Sequence, residues 1–249
     1  MLTVLGAIWG SFVAALCQRW PEGESIITGR SRCDQCQLPL RAHELVPILS
    51  YLLQRGKCRR CGATIGRDSL FIELFCANFG LLCATLFPLP SAVAVAVLGW
   101  TLLPLILLDW RHYWLPDNLV IIVAVIGLIG GGFLPSEPSL ADRAIGGVAG
   151  FAGLQLLRTG YFRLRGVEAM GAGDPKLFGA IGLWVGWQAL PLILLLASAL
   201  GLMHFLTRLR DSDALKQHFP LGSYFGAATI LLVCVTAALD VIRLIALSG

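Results

Sequence analysis

The sequence predicts an all-α integral membrane protein of about eight transmembrane helices, with a small cytoplasmic zinc-knuckle loop domain between helices 1 and 2. Of the 249 residues, 57% are hydrophobic and only 14% are charged, whereas soluble domains carry about 25% charged residues. Long apolar stretches recur along the chain, and the one extended polar stretch contains two pairs of cysteines. Most of the surface is therefore expected to face lipid rather than water.

The apolar stretches are predicted to be transmembrane helices because roughly 20 apolar residues cross a hydrocarbon core of about 30 Å. They are residues 2–18, 70–88, 91–109, 118–134, 141–158, 175–187, 188–207 and 223–247. The first has no positive region before it and no small-residue cleavage pattern after it. We therefore predict that it is a mature membrane helix rather than a signal peptide.

Basic residues predict the orientation of these helices, because cytoplasmic loops accumulate Lys and Arg. With the N-terminus outside, nearly all the positive charge lies on the cytoplasmic side, and only Arg143 and Arg243 lie outside. We interpret the net charge of +4 as a consequence of this topology. The expected partner of the basic loops is the lipid bilayer, with anionic headgroups, and no nucleic acid.

The polar stretch, residues 21–69, is predicted to be a zinc-binding domain. About 50 residues bury too little core to be stable without a staple. Two CxxC pairs separated by about 20 residues are typical of a structural zinc site, in which four thiolates close a tetrahedral shell. Two disulfides or free thiols are the alternative, which a reducing cytoplasmic loop disfavours. The predicted ligands are Cys33, Cys36, Cys58 and Cys61.

Acidic residues at the ends of apolar segments are costly, and they are therefore candidates for function. Asp109 follows an apolar run and lies at a helix C-terminus, where the helix dipole disfavours a negative charge, so capping does not explain it. Asp117 follows Pro116 at the start of the next segment, and we predict that it caps that helix.

Asp174 ends a glycine-containing segment and is followed by Pro175, which suits a helix N-cap. Capping does not explain Gly171 and Gly173, which allow another helix or an extended peptide to approach the backbone closely. Asp109 and Asp174 both lie near the predicted cytoplasmic face. Two carboxylates that share a proton can activate water with one group and protonate a scissile carbonyl with the other. Two aspartates at one depth are candidates for such a pair, and the sequence leaves open whether they touch.

Four motifs occur in order along the chain. They are Gly10-Ser11-Phe12 with Arg19-Trp20-Pro21, Pro47-Ile48-Leu49-Ser50-Tyr51 through Arg55-Gly56-Lys57-Cys58-Arg59-Arg60-Cys61-Gly62, Asp109 with Leu115-Pro116-Asp117, and Met170-Gly171-Ala172-Gly173-Asp174-Pro175-Lys176-Leu177. Together they resemble the type IV prepilin leader peptidases, membrane enzymes that process prepilins and type II secretion pseudopilins. The sequence departs from the family pattern at Ala14, Asp34 and Pro175.

The resemblance implies that Asp109 and Asp174 are the catalytic residues of an aspartyl endopeptidase in the cell inner membrane. It implies cytoplasmic cleavage of a short basic leader after a glycine, and in many members methylation of the new N-terminus with S-adenosylmethionine. The domain division that the sequence predicts is a first transmembrane helix at 1–20, a cytoplasmic four-cysteine zinc-binding domain at 21–69 and a transmembrane peptidase domain at 70–249.

Four residues are candidates for substrate binding. Glu73 and Glu168 fall where the family often has glutamate, and they are expected to receive the basic leader or the new amino group. For each, an interfacial acid paired with a local arginine is the alternative. Gly171 and Gly173 are the other two candidates, since they permit close approach of a peptide.

Three other functions are consistent with parts of this pattern. Membrane acids and glycine-interrupted helices also mark transporters and proton pathways, although the sequence contains no internal repeat. A preflagellin peptidase of the archaellin type shares the glycine-aspartate motif but typically lacks the two-knuckle loop. A zinc-loop assembly factor for a secretion machine would need neither aspartate.

Overall fold

This computed structural model describes residues 1–23, 32–33, 35–168, 170–208 and 219–248, so Asp34 lies outside it. The described helices are α1 (Leu2–Arg19), α2 (Leu49–Leu53), α3 (Arg67–Leu86), α4 (Leu89–His112), α5 (Asp117–Gly130), α6 (Leu140–Arg165), α7 (Gly173–Val185), α8 (Leu190–Arg208) and α9 (Leu221–Ser248). In these ranges the only β-pairing is two isolated bridges in the cysteine segment. The all-α class is confirmed. The chain forms two compact units, Met1–Thr85 and Leu86–Gly249.

Each predicted span coincides with one long helix, and α2 is additional. Among the described residues, four helices are long and apolar enough to cross a membrane: Leu2–Glu22, Arg67–Leu86, Leu89–His112 and Leu190–Arg208. Helix α7 has 13 residues, which at about 1.5 Å per residue is shorter than a hydrocarbon core of about 30 Å. The multi-pass helical class is therefore supported by these four helices, and the count of eight spans stays a prediction.

In the first unit, α1 packs closely against α3 at Gly10. A Cβ at this position would lie 2.7 Å from the Cα of Glu73 and 2.9 Å from the carbonyl oxygen of Ile72. Only a residue without a side chain permits this approach, as small residues do at other membrane helix contacts. Gly10 in the first motif therefore has a packing function.

In the second unit, glycines bring α6 and α7 into backbone contact. A Cβ at Gly146 would lie 2.6 Å from the carbonyl oxygen of Gly182. On the other side of α7, the fully buried Trp184 donates its Nε1 hydrogen to the carbonyl oxygen of Val123 in α5, at 2.9 Å. These contacts fix α7 between α5 and α6. Asp174 lies in the first turn of α7 and is therefore positioned together with that helix.

Arg143, predicted to lie on the outer side, is buried in α6 rather than presented to the surface. Its Nη1 donates to the carbonyl oxygens of Leu128 at 2.8 Å and Gly127 at 3.3 Å. Carbonyls in the last turn of a helix lack partners within that helix. The guanidinium therefore supplies a hydrogen bond to the Leu128 carbonyl and a second one to the Gly127 carbonyl, which also accepts the amide of Gly131. This contact explains a basic residue at a place that the predicted topology disfavours. The side chain of Arg243 lies outside the described part of α9.

Candidate active site

Asp109 lies in the last turn of α4, where its side chain is 5% exposed. Its Oδ2 accepts hydrogen bonds from the backbone N–H of Ser223 at 2.7 Å and from the Ser223 hydroxyl at 3.0 Å. Just beyond it, the chain turns at Tyr113, which has a φ of 51° and donates its amide to the Asp109 carbonyl. A buried carboxylate needs such donors, because an unpaired one is strongly disfavoured away from water.

Asp174 lies in the first turn of α7 and is 4% exposed. Its Oδ2 accepts the backbone N–H of Gly171 at 2.9 Å, and the Gly222 amide provides a further hydrogen bond. Helix α7 begins at Gly173 with Ala172 at the N-cap position, so the predicted N-cap geometry of Asp174 is wrong. Its carboxylate instead reaches back to the amide that precedes the helix.

The two carboxylates are held side by side by one short segment, the start of α9. The consecutive amides of Gly222 and Ser223 point at Asp174 and Asp109 respectively, and the two carboxylates interact electrostatically. A helix N-terminus suits this function because its first amides lack partners within the helix and its dipole favours negative charge. The two candidate aspartates are thus brought together.

Leu115 packs against the starts of both α7 and α9, and glycine is needed at each contact. A Cβ at Gly173 would lie 2.8 Å from the Leu115 Cβ, and a Cβ at Gly222 would lie 2.8 Å from its Cδ1 and 3.1 Å from Asp109 Oδ2. Gly173 therefore permits a close approach, as predicted, although the partner is a leucine of this chain. Gly171 serves through its amide on Asp174.

Asp117 is the first residue of α5, behind Pro116 at the N-cap position, and it forms no side-chain cap. The predicted capping function is therefore wrong. Both of its carboxylate oxygens instead contact Lys176 Nζ of α7, at 2.7 and 2.8 Å. The two side chains are 58% and 44% exposed, so this ion pair is worth at most about 1 kcal/mol. It joins the start of α5 to the helix that carries Asp174.

Aromatic side chains lie beside Asp109. Trp110 stacks on His204 of α8 with ring centroids 5.1 Å apart and meets Tyr224 of α9 edge-on at 6.2 Å. The Tyr224 hydroxyl is hydrogen-bonded to His204 Nδ1 and interacts electrostatically with Asp109. This cluster packs α8 and α9 against the end of α4.

The two glutamates predicted to bind substrate occupy different settings. Glu73 belongs to the first unit, is 8% exposed, and accepts the backbone N–H of Ile48 at 2.7 Å. It therefore connects α3 to the segment before α2. Ile48 lies in that segment and has an unusual φ of 62°. Glu168 is exposed in the segment that follows α6 and pairs with Arg158 at 3.3 Å, which matches the alternative of a local ion pair.

The four predicted ligands assemble into one cluster, with all four sulfur atoms within 4.8 Å of one another. Each CxxC pair forms the same knuckle. The carbonyl oxygen of its first cysteine accepts a hydrogen bond from the backbone N–H four residues later, and the backbone N–H of that cysteine donates to the carbonyl oxygen five residues later. No described cysteine is in a disulfide. Cys33 and Cys61 have sulfurs 3.8 Å apart, close to the spacing of about 3.8 Å that Zn–S bonds of about 2.3 Å impose in a tetrahedron.

The backbone of the second knuckle prepares one thiol for metal binding. Amide hydrogen bonds from Cys61 and Arg60 lower the pKa of the Cys58 thiol to about 7. Because a metal binds the thiolate rather than the thiol, this environment favours a ligand at neutral pH. The donor set and spacing fit zinc, and four sulfurs leave no open position on the ion.

Gly222 and Ser223 are site residues that the sequence reasoning missed. The signal available was weak: Pro220-Leu221-Gly222 marks a turn before the last apolar segment. Nothing local indicated that the amides after this turn face residues more than a hundred positions earlier in the chain.

Comparisons with known proteins bear on the whole chain. Residues 4–87 match the Bacterial Peptidase A24 N-terminal domain, and residues 96–206 match the Type IV leader peptidase family. A "Type 4 prepilin-like proteins leader peptide-processing enzyme" of Escherichia coli O78:H11 is 34% identical, with 93% of each chain covered. A "Prepilin leader peptidase/N-methyltransferase" of Pseudomonas putida is 33% identical, with 92% of this chain and 87% of the relative covered. One of the same name from Aeromonas salmonicida is 37% identical, with 83% and 72% covered.

No solved structure matches this chain. Neither the matching families nor these relatives support the transporter alternative. Two family profiles that together span most of the sequence, and relatives above 30% identity over nearly the full length, agree with each other. The chain belongs to the Type IV leader peptidase family.

Proposed function

We propose that this chain is a membrane aspartyl endopeptidase that removes the short basic leader of type IV prepilins or type II secretion pseudopilins, and that it also methylates the new N-terminus. The observation that carries this proposal is the pair of buried carboxylates, Asp109 and Asp174, held side by side by the start of α9. The names of the relatives support the reaction and the substrate class.

The proposed chemistry uses the pair in general acid/base catalysis. With one carboxylate ionised and the other protonated, the ionised group takes a proton from water as its oxygen attacks the scissile carbonyl carbon. The protonated group gives its proton to the carbonyl oxygen. When the tetrahedral intermediate collapses, the C–N bond breaks, and the nitrogen receives a proton from the carboxylic acid formed in the first step. The other aspartate, now ionised, takes a proton from a hydroxyl of the intermediate as the C=O bond re-forms. The two aspartates thus exchange protonation states in the first step and return to their starting states in the second.

The cytoplasmic membrane face is the proposed place of cleavage. The four described helices that are long and apolar enough to span support a multi-pass inner-membrane protein, and the basic residues favour a cytoplasmic loop 21–69. On this topology a substrate keeps its apolar helix in the bilayer while its basic leader stays in the cytoplasm. The leader then meets Asp109 and Asp174 from the water side. Of the eight proposed spans, α7 is the shortest helix.

The four-cysteine cluster is proposed to hold a structural zinc ion within the 21–69 domain. When bound, zinc would join two knuckles that otherwise share little buried surface, since among the four ligands only Cys58 is buried. The closed sulfur shell assigns the ion no part in the cleavage.

The methylation half of the proposal rests on the names of the relatives and would use S-adenosylmethionine.

Leader removal from a co-expressed prepilin tests the proposal. Asp109→Asn and Asp174→Asn are each expected to leave the prepilin uncleaved, because each removes one of the two groups that move protons. Asp117→Asn is the matched control: it changes a nearby exposed carboxylate that contacts only Lys176 among the described hydrogen bonds, and cleavage should persist. Full processing by either Asp109→Asn or Asp174→Asn would refute the proposal.

A further inference from the structure

Ser223 is a buried polar residue that contacts both the carboxylate of Asp109 and the backbone of the helix that carries it. Its side chain is 2% exposed. Its amide donates to Asp109 Oδ2 at 2.7 Å, and its Oγ lies 3.0 Å from the same oxygen and 2.9 Å from the carbonyl oxygen of Ile106. Asp109 and Ile106 are both on α4, so the hydroxyl lies between a reactive carboxylate and a fixed backbone acceptor.

These contacts suit either protonation state of Asp109. A serine hydroxyl has one hydrogen to donate and two lone pairs to accept with. When Asp109 is ionised, the hydroxyl donates to it. When Asp109 is protonated, the carboxylic acid can donate to Oγ while the hydroxyl turns its hydrogen to the Ile106 carbonyl. No heavy atom needs to move between the two arrangements.

We propose, building on the peptidase function proposed above, that Ser223 is a positioning residue that keeps Asp109 in place while its protonation state changes. The backbone amide of Ser223 holds the carboxylate in register with Asp174, which the neighbouring Gly222 amide holds. The hydroxyl then matches its hydrogen bond to whichever form of Asp109 the catalytic cycle requires. The adjustment to the protonation state of Asp109 is specific to the serine side chain, whereas any non-proline residue at position 223 supplies the amide.

Loss of the hydroxyl should have a pH-dependent effect. A hydrogen bond to an ionised acceptor is roughly twice as strong as a neutral one, so removing the hydroxyl penalises ionised Asp109 more than protonated Asp109. One carboxylate of the pair must be ionised for water to be activated. The acidic limb of the cleavage profile should therefore move to higher pH, by about one unit. The limb reports the pair as a whole rather than one residue.

Other charged and titratable groups face the pair from the helices packed around it. Asp174 comes from α7 and Tyr224 from α9, and both interact electrostatically with Asp109. Arg158 of α6 acts on Asp174, and Arg208 of α8 and Tyr113, which follows α4, act on Tyr224. His204 of α8 is hydrogen-bonded to the Tyr224 hydroxyl. All six remain unchanged when Ser223 is replaced, so a shifted limb is attributable to the lost hydroxyl.

The test is the pH profile of kcat/KM for prepilin cleavage by purified Ser223→Ala enzyme. At neutral pH we expect a loss of about tenfold, because a hydrogen bond to a charged group is removed. Ser223→Thr keeps a hydroxyl and should restore the profile. The matched control is Thr229→Val, which removes a fully buried hydroxyl of the same helix that contacts the Phe225 carbonyl and not the carboxylates.

The position of the acidic limb decides the outcome. It does not depend on the amount of folded enzyme, so partial misfolding does not imitate a shift. An acidic limb that moves in Ser223→Ala and stays in Thr229→Val supports the inference. An unmoved limb in Ser223→Ala overturns it, whatever the rate. In that case the Asp109→Asn variant shows whether the peptidase proposal fails together with the Ser223 inference. If Asp109→Asn does not cleave the prepilin, the peptidase proposal stands without this function of Ser223.

Discussion

Gly226→Ala should destabilise the contact that holds the candidate site together. Gly226 lies on α9 one turn after Ser223, and it faces Ile106 on α4, one turn before Asp109. A Cβ at Gly226 would lie 2.5 Å from Ile106 Cγ1 and 2.8 Å from its Cδ1. Because Cγ1 is bonded directly to the branched Cβ, it has little freedom to move away. The added methyl should push α9 away from α4. These two helices carry Ser223 and Asp109 respectively.

The expected magnitude is the difference of two effects. Overpacking costs about 1–3 kcal/mol, whereas replacing glycine by alanine in a helix gains roughly 1 kcal/mol. The net loss of unfolding free energy should therefore be about 0–2 kcal/mol, or a fall in Tm of up to about 8 °C at roughly 2–4 °C per kcal/mol for a chain of this size. Cleavage should fall more than stability alone requires, since the Ser223 contacts with Asp109 lengthen.

Thermal unfolding followed by tryptophan fluorescence in detergent measures the first effect, and prepilin cleavage measures the second. Gly153→Ala on α6 is the matched control, because nothing lies within 4 Å of its added Cβ, and its Tm should stay or rise. Ile106→Ala removes both contacting atoms, so the double variant should lose less than the sum of the two single losses. A Gly226→Ala protein as stable and active as Gly153→Ala would refute this reasoning.

Three further outcomes follow from contacts elsewhere in the chain. Arg143→Met should lower the unfolding free energy by about 1–2 kcal/mol, because the Leu128 carbonyl at the end of α5 loses its side-chain donor; an unchanged Tm would contradict this. Glu73→Gln keeps an acceptor for the Ile48 amide and should unfold near the unmodified temperature, whereas Glu73→Ala should lose about 1–3 kcal/mol; equal losses would exclude the anchoring function. Cys58→Ser should lower the zinc content of purified protein measured by elemental analysis, while Cys76→Ser in α3 should not; equal zinc in both would exclude the four-cysteine site.

Much of the fold was accessible from the sequence because membrane helices are coded locally. Each apolar stretch corresponds to one helix, and the ends agree within a few residues except in α6, which continues to Arg165. The predicted segment 141–158 ends at Arg158, the first arginine after the apolar run. Arg163 and Arg165 then extend the helix beyond the apolar part, ending at Gly166 with a φ of 69°. The helix therefore continues beyond the hydrophobic pattern that predicted it.

The four-cysteine cluster was also predictable, because the ligand spacing itself encodes two knuckles. Membrane cost and depth made Asp109 and Asp174 candidates for a pair but left their proximity open, and the structure brings both to the start of α9. What could not be predicted was the means of holding them. The amides of Gly222 and Ser223 carry no sequence signature, since every non-proline residue has one.

Local reasoning failed where a distant partner competed with it. Asp117 beside Pro116 is a reasonable cap, but Lys176 lies 59 residues away and takes both of its carboxylate oxygens. Arg143 similarly appears as a misplaced charge in the linear sequence, whereas its partners are carbonyls at the end of another helix. In both cases the deciding contact depends on how α5 packs, which short-range patterns do not specify.

The central claim is that Asp109 and Asp174 act as one catalytic unit, and a double-mutant cycle tests it most directly. The measurement is kcat/KM for leader cleavage by purified Asp109→Asn, Asp174→Asn and the variant carrying both changes. Residues that act as a unit show strongly non-additive losses. We predict that each single substitution reduces cleavage as far as the double substitution does. Losses that multiply in the double variant, or near-normal cleavage by either single variant, would contradict the account.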